Sequence, residues 1–134
     1  MRSISLLLFI VLLSGCSGTS REEVRVRTPL QSGIFQQPYA ELAICVKDRI
    51  ETNTWPFGQP FVHVETASQP IRVYAIYSRS TLFELTFLPA SSTSTHVEYR
   101  RSKEGRGTEG QAWSIIKQCA RRALLSPPDS RTGR

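Results

Sequence analysis

Apolar residues recur along this chain with two periods, and the changes between them predict its elements. From Pro38 the stretch "PYAELAICVKDRIE" places Tyr39, Leu42, Ala43, Val46 and Ile50 on one helical face, with Lys47, Asp48 and Glu51 turned away. Pro38 suits a first helical turn, and Asn53 and Pro56 end the helix. Four runs rich in Val, Ile, Tyr, Phe and Thr follow, at 61–66, 71–77, 81–88 and 95–101, separated by short turn signals. In the third, Phe83, Leu85 and Phe87 share a face. In the fourth, Val97 and Tyr99 point one way and His96, Glu98 and Arg100 the other. The glycine-containing segment 102–110 reads as a mobile loop. Thr108 and Gln111 then have capping-box spacing for a helix that runs to about Leu125, where Pro127 and Pro128 stop it. Its stripe is Ala112, Ile115, Ile116, Cys119 and Ala123, widened by Trp113, Ala120 and Leu124.

This pattern predicts an α+β two-layer sandwich of order αββββα. A four-stranded antiparallel meander would be covered on one face by two helices, with the other face open and more polar. Residues 36–125 would form the single domain, 16–35 a flexible tether, and 126–134 a disordered basic tail. The alternating stretch 23–27 within the tether would add an edge strand only if a partner offered one.

Charge sharpens the picture at the C-terminus. Of 134 residues, 1–99 carry eight basic and eight acidic side chains, so the whole net charge of +6 lies in 100–134. A basic patch suits nucleic acid, anionic lipid or an acidic partner. The pattern here reads as a solvated helix face with a basic tail, and no nucleic-acid partner is expected.

The N-terminus departs from both periods. Arg2 precedes an apolar run at 4–13, broken only by Ser5, and small residues Ser14 and Gly15 follow. This is the layout of a secretory signal peptide at 1–15. Ten helical residues span only ~15 Å, about half a bilayer core. The tetrapeptide Leu13-Ser14-Gly15-Cys16 resembles the lipobox of bacterial lipoproteins. The resemblance covers 1–20 and implies that Cys16 is lipidated, becomes the first mature residue and anchors the chain to a membrane. Ser17 follows Cys16 where many enteric lipoproteins retained in the inner membrane have aspartate, which resembles outer-membrane sorting with the domain facing the periplasm. An acyl chain contributes ~0.8 kcal/mol per buried methylene, so several chains hold firmly where one is marginal.

If Cys16 carries lipid, Cys45 and Cys119 remain as an even pair in an oxidising compartment, where disulfides persist. Two buried free thiols or a redox pair are the alternatives, the latter without a C-x-x-C motif.

Catalytic signatures are sparse. The sequence has no H-E-x-x-H, Walker A or nucleophile elbow, and the glycines at 105, 107 and 110 lack the lysine of a phosphate cradle. His63 and His96 are the only histidines; with Glu65 or Glu98 they would make a metal site only by meeting across strands. Glu65, Glu84 and Glu98 lie on strands, and nothing in their spacing selects a catalytic pair. No cofactor and no small-molecule substrate are expected. Surfaces are the better candidates: Trp55 and Phe57 in "WPFGQP", whose rings would otherwise plug the open end of the core, the open sheet face with Arg72, Tyr74, Glu98 and Arg100, and a sheet edge able to accept a partner strand. The expectation is a lipid-anchored, non-catalytic binding module of an envelope complex for secretion, transport or assembly. An inhibitor or immunity lipoprotein that inserts the 55–60 loop into a toxin or lytic enzyme is one alternative, and a small periplasmic hydrolase or metal enzyme another.

Overall fold

A computed structural model describes residues 18–125. The expected signal peptide 1–15, the expected lipidation site Cys16 and the expected tail 126–134 lie outside the described residues, as do the side chains of Ala123 and Leu124. The elements in chain order are α1 Arg21–Arg25, β1 Gln31–Phe35, α2 Tyr39–Thr52, β2 Phe61–Glu65, β3 Ile71–Tyr77, β4 Ser80–Pro89, β5 Thr95–Arg101 and α3 Glu109–Leu125.

The fold is α+β, with one antiparallel sheet of order β1-β5-β4-β3-β2. Strands β2 to β5 form the expected meander. Its inward positions meet across the register, Val73 opposite Leu85 and Leu85 opposite Tyr99, while Ala75 faces Phe83 and Phe87 faces Val97. These side chains are buried together with Leu42, Val46 and Ile50 of α2 and Ile115, Ile116 and Cys119 of α3. The apolar stripes read from helical spacing are therefore the stripes that meet the sheet. Cys45 and Cys119 form a disulfide with Cα atoms 5.9 Å apart, joining α2 to α3.

Among the described residues the sheet has five strands rather than four, and there are three helices rather than two. Both extra elements come from the segment expected to be a tether. Residues 31–35 pair antiparallel with β5, Gln31 opposite Tyr99 and Phe35 opposite Thr95. Phe35 meets Trp113 edge-on at 5.6 Å, and Gly33 lies under the same indole, where a Cβ would stand 3.1 Å from Cζ2. The missed strand is only five residues long with a glycine at its centre, and its partner is distant in sequence, with Gly33 opposite Val97 on an edge that β5 would otherwise leave unpaired.

Residues 21–25 are a helical turn, not an alternating strand. Ser20 accepts the Glu23 amide at 3.2 Å, and Glu23 accepts the Ser20 amide at 2.8 Å, a reciprocal capping box. The S-x-x-E spacing was present in the sequence and outweighs the apparent alternation. Val24 is fully buried, so α1 is packed onto the face expected to be open.

The loop before α3 is also more ordered than expected. Ser102 donates its amide to the Leu82 carbonyl at 2.9 Å, and Gly105 lies so close that a Cβ would fall 1.9 Å from that oxygen. Thr108 bonds the Gly105 carbonyl at 2.7 Å and shares a 2.7 Å hydrogen bond with the Tyr99 hydroxyl. Gln111 reaches the Thr54 carbonyl at 2.9 Å.

Candidate functional site

The outward positions of β2 to β5 build two polar rows. Register aligns His63, Tyr74, Glu84 and Arg100 in one row, and Glu65, Arg72, Thr86 and Glu98 in the next. Period-two alternation on four adjacent strands forces this, because the opposite face is committed to the core.

Glu84 lies at the centre of the first row with its side chain 1% exposed. Its Oε1 accepts the Thr86 hydroxyl at 2.9 Å and faces Arg100 Nη1 at 3.5 Å. Its Oε2 makes no hydrogen bond; Arg25 Nε is 3.8 Å away. Arg100 also binds Glu98 at 2.6 Å, the Thr86 hydroxyl at 3.2 Å and the Arg27 carbonyl at 2.9 Å.

α1 supplies the other half of the network. Arg25 donates to Glu65 at 2.6 Å and to the Tyr74 hydroxyl, and Arg21 donates to Glu65 at 3.0 Å. Both guanidinium groups lie over the Tyr74 ring, at 5.7 and 5.8 Å from its centroid. The Tyr74 bond holds the Arg25 guanidinium in its charged form, raising its pKa. Burial pushes the Tyr74 phenol up to about 12, with the Arg25 hydrogen bond opposing.

Beside this network a cleft of about 290 Å3 opens between Pro70, Arg72, Thr86, Leu88, Glu98 and Arg100. Arg72 is half-buried there, and its guanidinium makes no hydrogen bond or ion pair with any described residue. A guanidinium is a bidentate partner for a planar carboxylate. The cleft is therefore a place where one anionic group would find an uncommitted cation, with Leu88 and Pro70 as apolar walls.

The expected site residues separate into two groups. Arg72 and Arg100 come together in the cleft; Tyr74 is fully buried beneath α1 and reaches the site only through Arg25 and Glu65. Trp55 and Phe57 lie elsewhere. Trp55 is 3% exposed, stacks on Phe57 at 5.7 Å, meets Phe83 in a tilted contact at 5.7 Å, and donates Nε1–H to the Ile50 carbonyl at 3.0 Å. That ring plugs the end of the core and is not available as an inserted anchor; Phe57 is half-buried. His63 and His96 sit on β2 and β5 with two strands between them, about 14 Å across the sheet. No group of three His, Cys, Asp or Glu converges among the described residues. Among these residues no helix is long and apolar enough to cross a membrane.

The sequence reading missed Glu84 as the hub and Arg25 as its cover. A lone glutamate in "LFELTF" was the available signal, since a carboxylate between apolar strand positions must find cationic partners. No protein-family profile and no curated protein matches the chain.

Proposed function

We propose that this chain is a lipid-anchored, non-catalytic adaptor of a bacterial cell-envelope complex, held at the outer membrane with its domain facing the periplasm. The observation that carries the reading is the Leu13–Cys16 tetrapeptide at the end of an apolar run. The Cys45–Cys119 bridge supports it, because a covalent pair suits an oxidising compartment and leaves Cys16 as the odd thiol. The docking face is the polar sheet face. Arg72, without a partner of its own among the described residues, receives a carboxylate of the bound protein, while Arg100 and Arg25 are held by Glu84, Glu98 and Glu65.

Metabolic labelling with palmitate tests the anchor. Wild type is expected to take up label and Cys16→Ala to take up none; an unlabelled wild type would sink the anchor. A photo-crosslinker placed at Leu88, on the wall of the cleft beside Arg72, tests the docking face in intact membranes. A reproducible adduct with one envelope protein is expected, and its absence counts against docking there.

A further inference from the structure

We infer that the β3–β4 turn and the adjoining 102–108 loop form a surface that lies directly on anionic lipid headgroups. The inference rests on the lipidation of Cys16 proposed above.

The chain is fixed to the domain almost as soon as it leaves Cys16. A Cβ on Gly18 would stand 2.4 Å from Ser80 Oγ and 2.8 Å from the Arg79 carbonyl oxygen, so the backbone there is in contact with the turn. The next residue is tied twice: the Thr19 carbonyl accepts the Thr81 amide at 2.8 Å, and its hydroxyl donates to Glu104 at 2.8 Å. Cys16 and Gly18 are two residues apart, and two residues reach at most about 7 Å. An acylated Cys16 at the headgroups therefore holds the turn within about one Debye length of the lipid surface, ~8 Å at physiological salt. A flexible tether of twenty residues would have let the domain tumble; this length does not.

The surface brought to the membrane has matching chemistry. Arg79 lies in the turn, and Lys103 and Arg106 lie in the 102–108 loop, all three exposed. That loop is held at the same end by Ser102 and Gly105 on Leu82. Glu104 is the one acid in these two loops and is engaged by Thr19. Tyr77 and Phe61 border the turn at 40% and 68% exposure, as amphipathic and aromatic rings do at a headgroup layer. Juxtamembrane cations of this kind are drawn to anionic leaflets. Glu22 and Glu23 follow on α1 and oppose the attraction, so the contact is local to the two loops.

The placement also orients the rest of the molecule. β4 runs ten residues from Ser80 to Pro89, so its far end lies about 30 Å from the turn. Arg72 pairs with Thr86 toward its far end, which turns the cleft to the aqueous side where a partner arrives.

The test uses the lipidated full chain on vesicles of phosphatidylethanolamine with phosphatidylglycerol, compared with phosphatidylcholine alone. Amide hydrogen exchange is followed by mass spectrometry, with palmitate incorporation measured on the same samples. Segments 77–80 and 102–107 are expected to exchange at least about threefold more slowly on the anionic vesicles, with 90–94 unchanged. The charge reversal Arg79→Glu, Lys103→Glu, Arg106→Glu should remove the difference while labelling persists, and Lys103→Glu alone should reduce it. Full labelling with equal exchange on both vesicles would overturn the apposition and leave the anchor standing. Absence of label in wild type would overturn both.

Discussion

Arg100 Nη1 lies 3.5 Å from Glu84 Oε1 on the neighbouring strand, with the Glu84 side chain 1% and the Arg100 side chain 14% exposed. A pair so far from water is costly to break on one side only, because the charge that stays is left without its partner. Arg100→Ala should therefore lower stability by about 3 kcal/mol, at the low end of such losses because Arg25 stays 3.8 Å from Glu84. Arg100→Ala with Glu84→Gln should lose less than Arg100→Ala alone. Urea denaturation of the single and double variants checks this, and a double variant weaker than the single one would contradict the pairing.

The disulfide joins residues 74 apart. In the chain-entropy account a closed loop of that size restricts the unfolded chain by roughly 4 kcal/mol. Cys45→Ala with Cys119→Ala should lower the urea midpoint accordingly, with far-ultraviolet circular dichroism of the folded baseline unchanged. Reduction of wild type should reproduce the shift.

Glycine tolerance should differ sharply between Gly105 and Gly110, five residues apart. A methyl at Gly105 would fall 1.9 Å from the Leu82 carbonyl oxygen, which is backbone and cannot step aside cheaply. Gly105→Ala should cost about 2–4 kcal/mol through strain and displacement of the 102–108 loop. Gly110 lies in α3, and a methyl there would meet nothing within 4 Å, so Gly110→Ala should stabilise by about 0.5–1 kcal/mol through helix propensity. Thermal melts of the two variants moving in the same direction would refute this contrast.

Burial pushes the Tyr99 phenol up to about 12, against the ordinary value of 10, with the Thr108 hydrogen bond opposing. Between those values the unfolded chain loses the Tyr99 proton while the folded chain keeps it. The associated stability is whole below pH 10 and falls as pH rises toward 12, by about 2 kcal/mol. Tyr99→Phe should remove that part of the alkaline loss and cost about 1 kcal/mol at neutral pH through the lost hydrogen bond to Thr108. Denaturation at pH 8 and near pH 11.5 separates the two effects.

Much of the inner layer was legible because its signals are local. The stripe of Leu42, Val46 and Ile50, the alternation of Phe83, Leu85 and Phe87, and the paired Cys45 and Cys119 each follow from spacing within a few turns or from counting. The candidate site was legible only in part. Arg72 and Arg100 were assigned to the outer face by alternation, but alternation says nothing about what covers that face. For Trp55 the sequence left both an outward anchor and a plug of the core open, because a proline-framed aromatic loop reads the same whether its ring points out or in; Ile50 and Phe83 turn it in.

By itself, then, the sequence determined the helical and strand stripes, the meander, the odd cysteine behind an apolar run, and the polarity of the outer sheet face. The tertiary structure alone decided that 31–35 closes the open edge of β5, that α1 covers Tyr74 and Glu84, that Arg72 is left without a partner among the described residues, and that Gly18 and Thr19 are already bound to the β3–β4 turn. The physical reason is common to all four. Periodicity records how a residue relates to neighbours along its own element, whereas strand edges, buried charge pairs and backbone contacts join positions tens of residues apart and exist only once the chain has closed on itself.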